Sequence, residues 1–188
     1  MGETEHRLIW LATTGDSEAF SELVSLFESK VYRAAYALTG NEHDAADLTQ
    51  ETFLRAFKGI GAFRGRCPFF TWLYRILLNT FKTWLRARSR MPKTVPSGHQ
   101  NRAPVEEAAS SPSGSQLASD RETVDKVYRA ISALPDEQRM AVVLHCLEDM
   151  SYREIAGAMR CSVGTVKSRI HAARLVLKRE VLGESDSK

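Results

Sequence analysis

Apolar residues recur along this chain at intervals of three and four, and nowhere with a period of two, so the elements it predicts are helices. Leu8, Ile9 and Leu11 suit a short first helix ending near Thr14-Gly15. Asp16 stands where a cap belongs, and Phe20, Leu23, Val24, Phe27, Val31, Ala34, Ala35 and Leu38 follow at helical spacing until Gly40-Asn41 stops them. Asp44 opens a third helix with Ala45, Leu48, Phe53, Leu54 and Phe57 apolar. Gly59 to Gly65 is a break, and Pro68 or Thr71 begins a fourth helix running to about Arg90. From Met91 to Ser119 the pattern lapses: Pro92, Pro96, Pro104 and Pro112 are scattered among Ser, Gly, Ala and Gln, with too few large apolar residues to offset the entropy of ordering. Periodicity then returns in Val124, Val127, Ile131 and Leu134, and again in Met140, Val143, Leu144 and Leu147. The reading is all-α: two small helical domains, 1–90 and 121–188, joined by a flexible linker over 91–120.

The last third carries the sharpest local chemistry. Ser151 and Glu154 have the spacing of a capping box, in which each side chain satisfies a backbone N–H left without an intrahelical partner. Ile155, Ala156 and Met159 give the short helix after them one apolar face, and Arg160-Cys161-Ser162 is a tight connection. Ser162 is placed to cap a second helix whose Val166, Ile170, Ala173 and Leu177 form one stripe. Lys167, His171, Arg174 and Lys178 form another, and no acidic residue occurs from Cys161 to Arg179. A helix apolar behind and basic in front suits the major groove, and the unit reads as a helix-turn-helix.

Charge sharpens this picture. The net charge is only +3, but Met1 to Glu51 holds ten Asp/Glu against three Lys/Arg, whereas Thr52 to Val105 holds eleven Lys/Arg and no acid. An acidic surface for one partner and basic surfaces for a polyanion follow, with nucleic acid favoured over membrane. No apolar run approaches a membrane span and the first ten residues are too charged for a signal peptide, so a cytoplasmic protein is expected. Cys67, Cys146 and Cys161 lack paired metal-ligand spacing, so reduced thiols are expected and no metal or other cofactor is called for.

Two surfaces of the first domain invite function. Asp44, Asp47 and Glu51 share one helix face with Gln50 beside them, which fits a solvated face, a docking surface for a basic partner, or a carboxylate metal site without its usual Glu-x-x-His pairing. Further on, Trp72, Tyr74, Phe81 and Trp84 alternate with Arg75, Lys82, Arg86, Arg88 and Arg90, with one amide at Asn79. Aromatics on a basic face suit unpaired bases, which stack on rings while cations follow the backbone. Trp72, Leu73, Ile76, Leu77 and Phe81 also have core spacing, which leaves the cations, Asn79 and the loop from Phe63 to Pro68 as the better contact candidates.

The runs Asp44-Ala-Ala-Asp-Leu-Thr-Gln-Glu-Thr-Phe-Leu-Arg-Ala-Phe57, Phe63-Arg-Gly65, Thr71-Trp-Leu-Tyr-Arg-Ile-Leu-Leu-Asn79, Leu134-Pro-Asp-Glu-Gln-Arg139, Ser151-Tyr-Arg-Glu-Ile-Ala156 and Val163-Gly-Thr-Val-Lys-Ser-Arg-Ile170 together resemble the extracytoplasmic-function sigma factors, most of all their envelope-stress type. The resemblance spans nearly everything outside the linker. It implies a non-enzymatic initiation factor that directs core RNA polymerase to stress-type promoters. Asp44, Asp47, Gln50 and Glu51 would dock on the β′ clamp helices of core RNA polymerase, with the β flap as a further expected contact. Phe63, Arg64, Trp72, Arg75, Asn79, Lys82 and Arg86 would open and read the −10 single strand. Lys167, Ser168, Arg169, His171 and Arg174 would read the −35 duplex, and an anti-sigma factor would hold the protein inactive. The chain departs from the family's pattern at His171 and Ala172, so no known −35 sequence carries over.

Overall fold

The computed structural model describes residues 3–90, 124 and 126–182; the expected linker over 91–120 lies outside them. The described residues are helical, with no strand among them. Helix α1 spans Glu3–Thr13 and α2 Ser17–Thr39. Asp16 begins α2 as expected, one carboxylate oxygen accepting from the amides of Glu18 and Ala19 at 2.9 and 3.0 Å. Gly40 ends it in the left-handed region (φ 69°), its N–H returning to the Tyr36 carbonyl at 2.7 Å. Helix α3, Glu42–Gly59, is capped by Asn41 rather than Asp44: the Asn41 side chain takes the Asp44 amide at 3.0 Å, and Asp44 lies in the first turn. A 3-10 turn, Ile60–Ala62, and a loop with left-handed Gly65 lead to α4, Phe69–Arg90.

The second body starts with α5 (helical over 126–133), then α6, Asp136–Cys146, α7, Tyr152–Met159, and α8, Val163–Leu182. The capping box is present: Ser151 Oγ accepts from the Glu154 amide while Glu154 accepts from the Ser151 amide at 2.8 Å. Ser162 caps α8 by accepting from the Thr165 amide at 3.0 Å.

Leu23, Phe27, Val31, Leu38, Phe69, Leu73, Leu77 and Phe81 fill the interior of the first body. Met140, Leu144, Ile155, Val166 and Ile170 fill that of the second. The two are not separate spheres, because one continuous buried cluster runs through both. Helix α4 packs on α7 and α2 on α6, and the rings of Tyr36 and Tyr128 meet edge to face at 5.0 Å. Four apolar positions read as helix interior are surface instead: Leu54, Phe57, Val124 and Val127 are exposed.

Candidate nucleic-acid and polymerase interfaces

Along α3 the four acidic-face candidates diverge. Asp44 turns to Arg88 of α4 at 3.2 Å, and Glu51 pairs with Arg55 one turn on at 2.6 Å. Asp47 and Gln50 project into solvent. Gln50 lines a groove of about 520 Å³ between α2 and α3 whose other walls include Phe20, Val24, Tyr32, Phe53, Leu54 and Phe57. The Phe57 ring meets that of Phe20 edge to face at 5.1 Å while remaining 51% exposed. Positions 47, 50, 54 and 57 step by three and four, so one helix face presents a carboxylate, an amide and two apolar tips. The sequence reading missed Leu54 and Phe57 as surface residues; their continuation of the Asp47 face was the available signal. The Tyr32 phenol in this groove is pushed up, first by burial and then by Glu42. Burial of this partial kind leaves an apolar trough with an acidic rim, which is what a basic amphipathic partner requires.

On α4, Arg75, Asn79, Lys82 and Arg86 recur at i, i+4, i+7 and i+11, a single stripe. Asn79 and Arg86 are exposed, and Arg75 is half buried with Nε unpaired. Lys82 is held by Glu137 of α6 at 3.2 Å. The loop before α4 is built on rings: Phe63 packs against Phe69 at 5.8 Å and Trp72 at 5.3 Å. Trp72 lies against Gly59, where an added Cβ would stand 3.5 Å from the indole. Phe63 and Trp72 therefore roof the core and are only half exposed, whereas Arg64 is exposed and donates to the Gly61 carbonyl at 2.8 Å. Trp84 stacks on Phe81 and carries the Arg88 guanidinium 5.0 Å from its ring centre.

Helix α8 separates its candidates by face. Lys167, Ser168, His171 and Arg174 are exposed, while Val166, Ile170 and Ala173 are buried behind them. The Ser168 hydroxyl donates to the Thr165 carbonyl at 2.9 Å. Arg169 turns away from that face. Its guanidinium pairs with Glu137 at 2.9 Å and approaches Cys161 Sγ at 3.5 Å. Arg174 reaches His145 of α6, Nη2 to Nε2 at 3.2 Å, while His145 Nδ1 lies 3.2 Å from the Met150 carbonyl. A carbonyl only accepts, so Nδ1 carries the proton and Nε2 accepts from Arg174. Among the described residues no group of three His, Cys, Asp or Glu side chains is placed to hold a metal ion, and the three cysteines are free.

Two residues that the sequence reading passed over shape the junction. Arg139 lies largely buried among backbone carbonyls, and that burial lowers its pKa while Asp136 opposes the shift. Burial raises the carboxyl of Glu148, in the α6–α7 connection, beside the buried Tyr74 phenol.

Residues 23–91 match the family described as Sigma-70 region 2, and residues 125–177 the one described as Sigma-70, region 4. Over 188 residues the chain is 36% identical to the ECF RNA polymerase sigma-E factor of Escherichia coli, covering 95% of this chain and 94% of that protein. It is 39% identical over 173 residues to the ECF RNA polymerase sigma factor SigE of Mycolicibacterium smegmatis, covering 88% of this chain but only 63% of that longer protein. Among solved structures, CnrH in complex with the cytosolic domain of CnrY is similar with a TM-score of 0.69 and 26% identity, over 97% of this chain and 100% of that one. The sigma factor RpoE of Bartonella quintana, solved with the anti-sigma factor NepR, shares the fold with a TM-score of 0.69 at 23% identity, over 88% and 98% of the two chains.

Proposed function

The chain belongs to the ECF RNA polymerase sigma factors, and from that premise we propose how its surfaces divide the work of promoter recognition. The face of α3 that presents Asp47, Gln50, Leu54 and Phe57 docks core polymerase at the β′ clamp helices, with Asp44 and Glu51 flanking it. The acidic rim steers a basic partner and the apolar tips supply contact area, an arrangement that favours both rate and hold. The α4 stripe of Arg75, Asn79, Lys82 and Arg86, with Arg64 and the rings of Phe63 and Trp72 at its head, receives the non-template strand of the −10 element. Cations track the phosphates and Asn79 offers donor and acceptor to one extruded base. Helix α8 enters the −35 major groove with Lys167, Ser168, His171 and Arg174 forward, while the second body rests on the β flap.

In this scheme the chain makes and breaks no covalent bond. Its binding energy offsets the cost of separating strands, and polymerase performs the chemistry, which places the protein in the cytoplasm. No described helix is long and apolar enough to cross a membrane. A protein inhibitor that covers these faces is the expected regulator. The similarity to CnrH, solved with the cytosolic domain of CnrY, supports an anti-sigma factor in that role.

The observation that carries the reading is the sorting of surfaces: an acidic-apolar face on α3 and basic faces on α4 and α8, each within the segment matching region 2 or region 4. Transcription in vitro with core polymerase on a promoter library tests it. The expected result is selection of paired −35 and −10 sequences, abolished by Asp47→Lys with Glu51→Lys, because like charges across an interface cost several kcal/mol, roughly 3 or more. Duplex binding without polymerase-dependent transcription would make the protein a simple helix-turn-helix regulator instead.

A further inference from the structure

We propose that His145 couples −35 binding to proton uptake: once protonated, its imidazole and the Arg174 guanidinium hold one backbone phosphate between them, so the duplex is bound more tightly as the pH falls. The proposal rests on α8 entering the −35 groove as argued above. In the free chain the two side chains occupy each other. Arg174 Nη2 donates to His145 Nε2 at 3.2 Å, and His145 Nδ1 donates to the Met150 carbonyl at 3.2 Å. Both nitrogens of the neutral ring are thereby engaged, since it has one donor and one acceptor to give. Arg174 is exposed on the outward face that carries Lys167, Ser168 and His171, and His145 is half-buried against it.

A second proton reverses this contact. It can only enter at Nε2, and Nε2–H then meets an N–H of Arg174, donor against donor and cation against cation. The pair parts unless an anion enters between the two groups, and a phosphate oxygen accepts from both. DNA and the proton therefore favour each other's binding. His145 stands in the last turn of α6, where the helix's free carbonyls suit a cation. From α8 it is faced by Arg174, flanked along that helix by His171 and Lys178. From α7 it meets the Tyr152 ring at 5.0 Å. From the α6–α7 connection comes Asp149, whose charge and that of Arg174 both reach the neighbouring Cys146 thiol, which burial pushes up. Helices α2 and α4 meet α6 nearer its start, at Arg139 and Glu137. The sign follows from linkage. The complex holds the proton more tightly than the free chain does, so affinity climbs as the pH falls through the titration and levels off once the free chain is itself protonated.

The test uses the full chain assembled with core polymerase, and as probe a fluorescent promoter fragment taken from the library selection above. Binding is titrated at about pH 8 and about pH 6, which brackets the range in which imidazoles in general change charge. Wild type is expected to tighten by about tenfold over that span relative to His145→Gln, which keeps an acceptor for Arg174 but takes no proton. The ratio of the two cancels any response of polymerase itself. His145→Arg, charged throughout, is expected to bind at both values as wild type does at about pH 6. His171→Ala removes the other imidazole of that face; it is expected to bind more weakly but to keep the wild-type pH response. Calorimetry in two buffers of different ionisation enthalpy is expected to record uptake of up to about one proton on binding by wild type, and less by His145→Gln. Coincident pH responses of wild type and His145→Gln overturn the proposal, as does equal proton uptake by the two or loss of the response in His171→Ala. Failure of wild type to bind any promoter fragment with polymerase overturns the division of surfaces, and the proposal with it.

Discussion

The guanidinium of Arg139 donates a 2.7 Å hydrogen bond to the carbonyl oxygen of Leu38, 101 residues earlier in the chain. Leu38 lies in the last turn of α2, where carbonyls have no partner within the helix. The same guanidinium serves Ser132 and Leu134 at 2.8 and 3.0 Å, at the end of α5. One side chain thus closes two helix ends and joins the two bodies. Arg139→Ala strands three buried carbonyls and is expected to cost about 2–4 kcal/mol. Arg139→Lys should recover only part of this, because an ammonium lacks the planar fork. Urea denaturation measures both, and a loss under about 1 kcal/mol for Arg139→Ala would show that water replaces the donor.

Asn79 is exposed on α4, and its side chain holds no hydrogen bond among the described residues. Asn79→Ala is therefore expected to leave thermal stability unchanged while slowing open-complex formation about tenfold, the worth of roughly one hydrogen bond. Permanganate footprinting follows the melting. Normal melting and an unchanged −10 preference would assign Asn79 to the surface alone.

Lys167 lies in the second turn of α8 and Arg174 two turns further on, and in the proposed docking the residue nearer the helix N-terminus reaches deeper into the groove. Lys167→Ala should change the ranking of −35 duplexes, costing about 1–3 kcal/mol at the favoured base. Arg174→Ala should weaken all sequences alike and reduce the salt slope by about one unit. Equal, sequence-independent losses across a panel of duplexes at several salt concentrations would mean the helix docks in another orientation.

Glu148 makes stability depend on pH. Burial raises its carboxyl above the ordinary carboxylate range, with Asp149 adding to the shift and Tyr74, Arg33 and Lys30 opposing it. A raised folded-state pKa means that the folded protein holds the proton more tightly than the unfolded chain. Its contribution is most favourable below the unfolded value and is lost as pH rises through the folded one. Glu148→Gln should accordingly raise Tm at pH 7.5 and converge with wild type as the pH approaches about 4. A Tm difference that stays constant with pH would remove Glu148 from the account.

The local grammar of the chain was legible without coordinates. Asp16, Gly40, the Ser151–Glu154 box and Ser162 act on backbone groups within four residues, so their neighbours in sequence settle what they do. The all-α class and the outward stripe of Lys167, His171 and Arg174 followed from spacing alone. Choices between equivalent neighbours were harder: Asn41 and Asp44 both suit a cap, and only the turn geometry at Asn41 selects it. Tertiary packing decided the rest. Apolar periodicity cannot separate a core face from a docking face, so Leu54 and Phe57 became surface only where α2 left α3 uncovered. Charge patterning cannot say which partner each cation meets. Arg169 went to Glu137 and Arg174 to His145 because α6 packs behind α8, an arrangement set by buried area over the whole core.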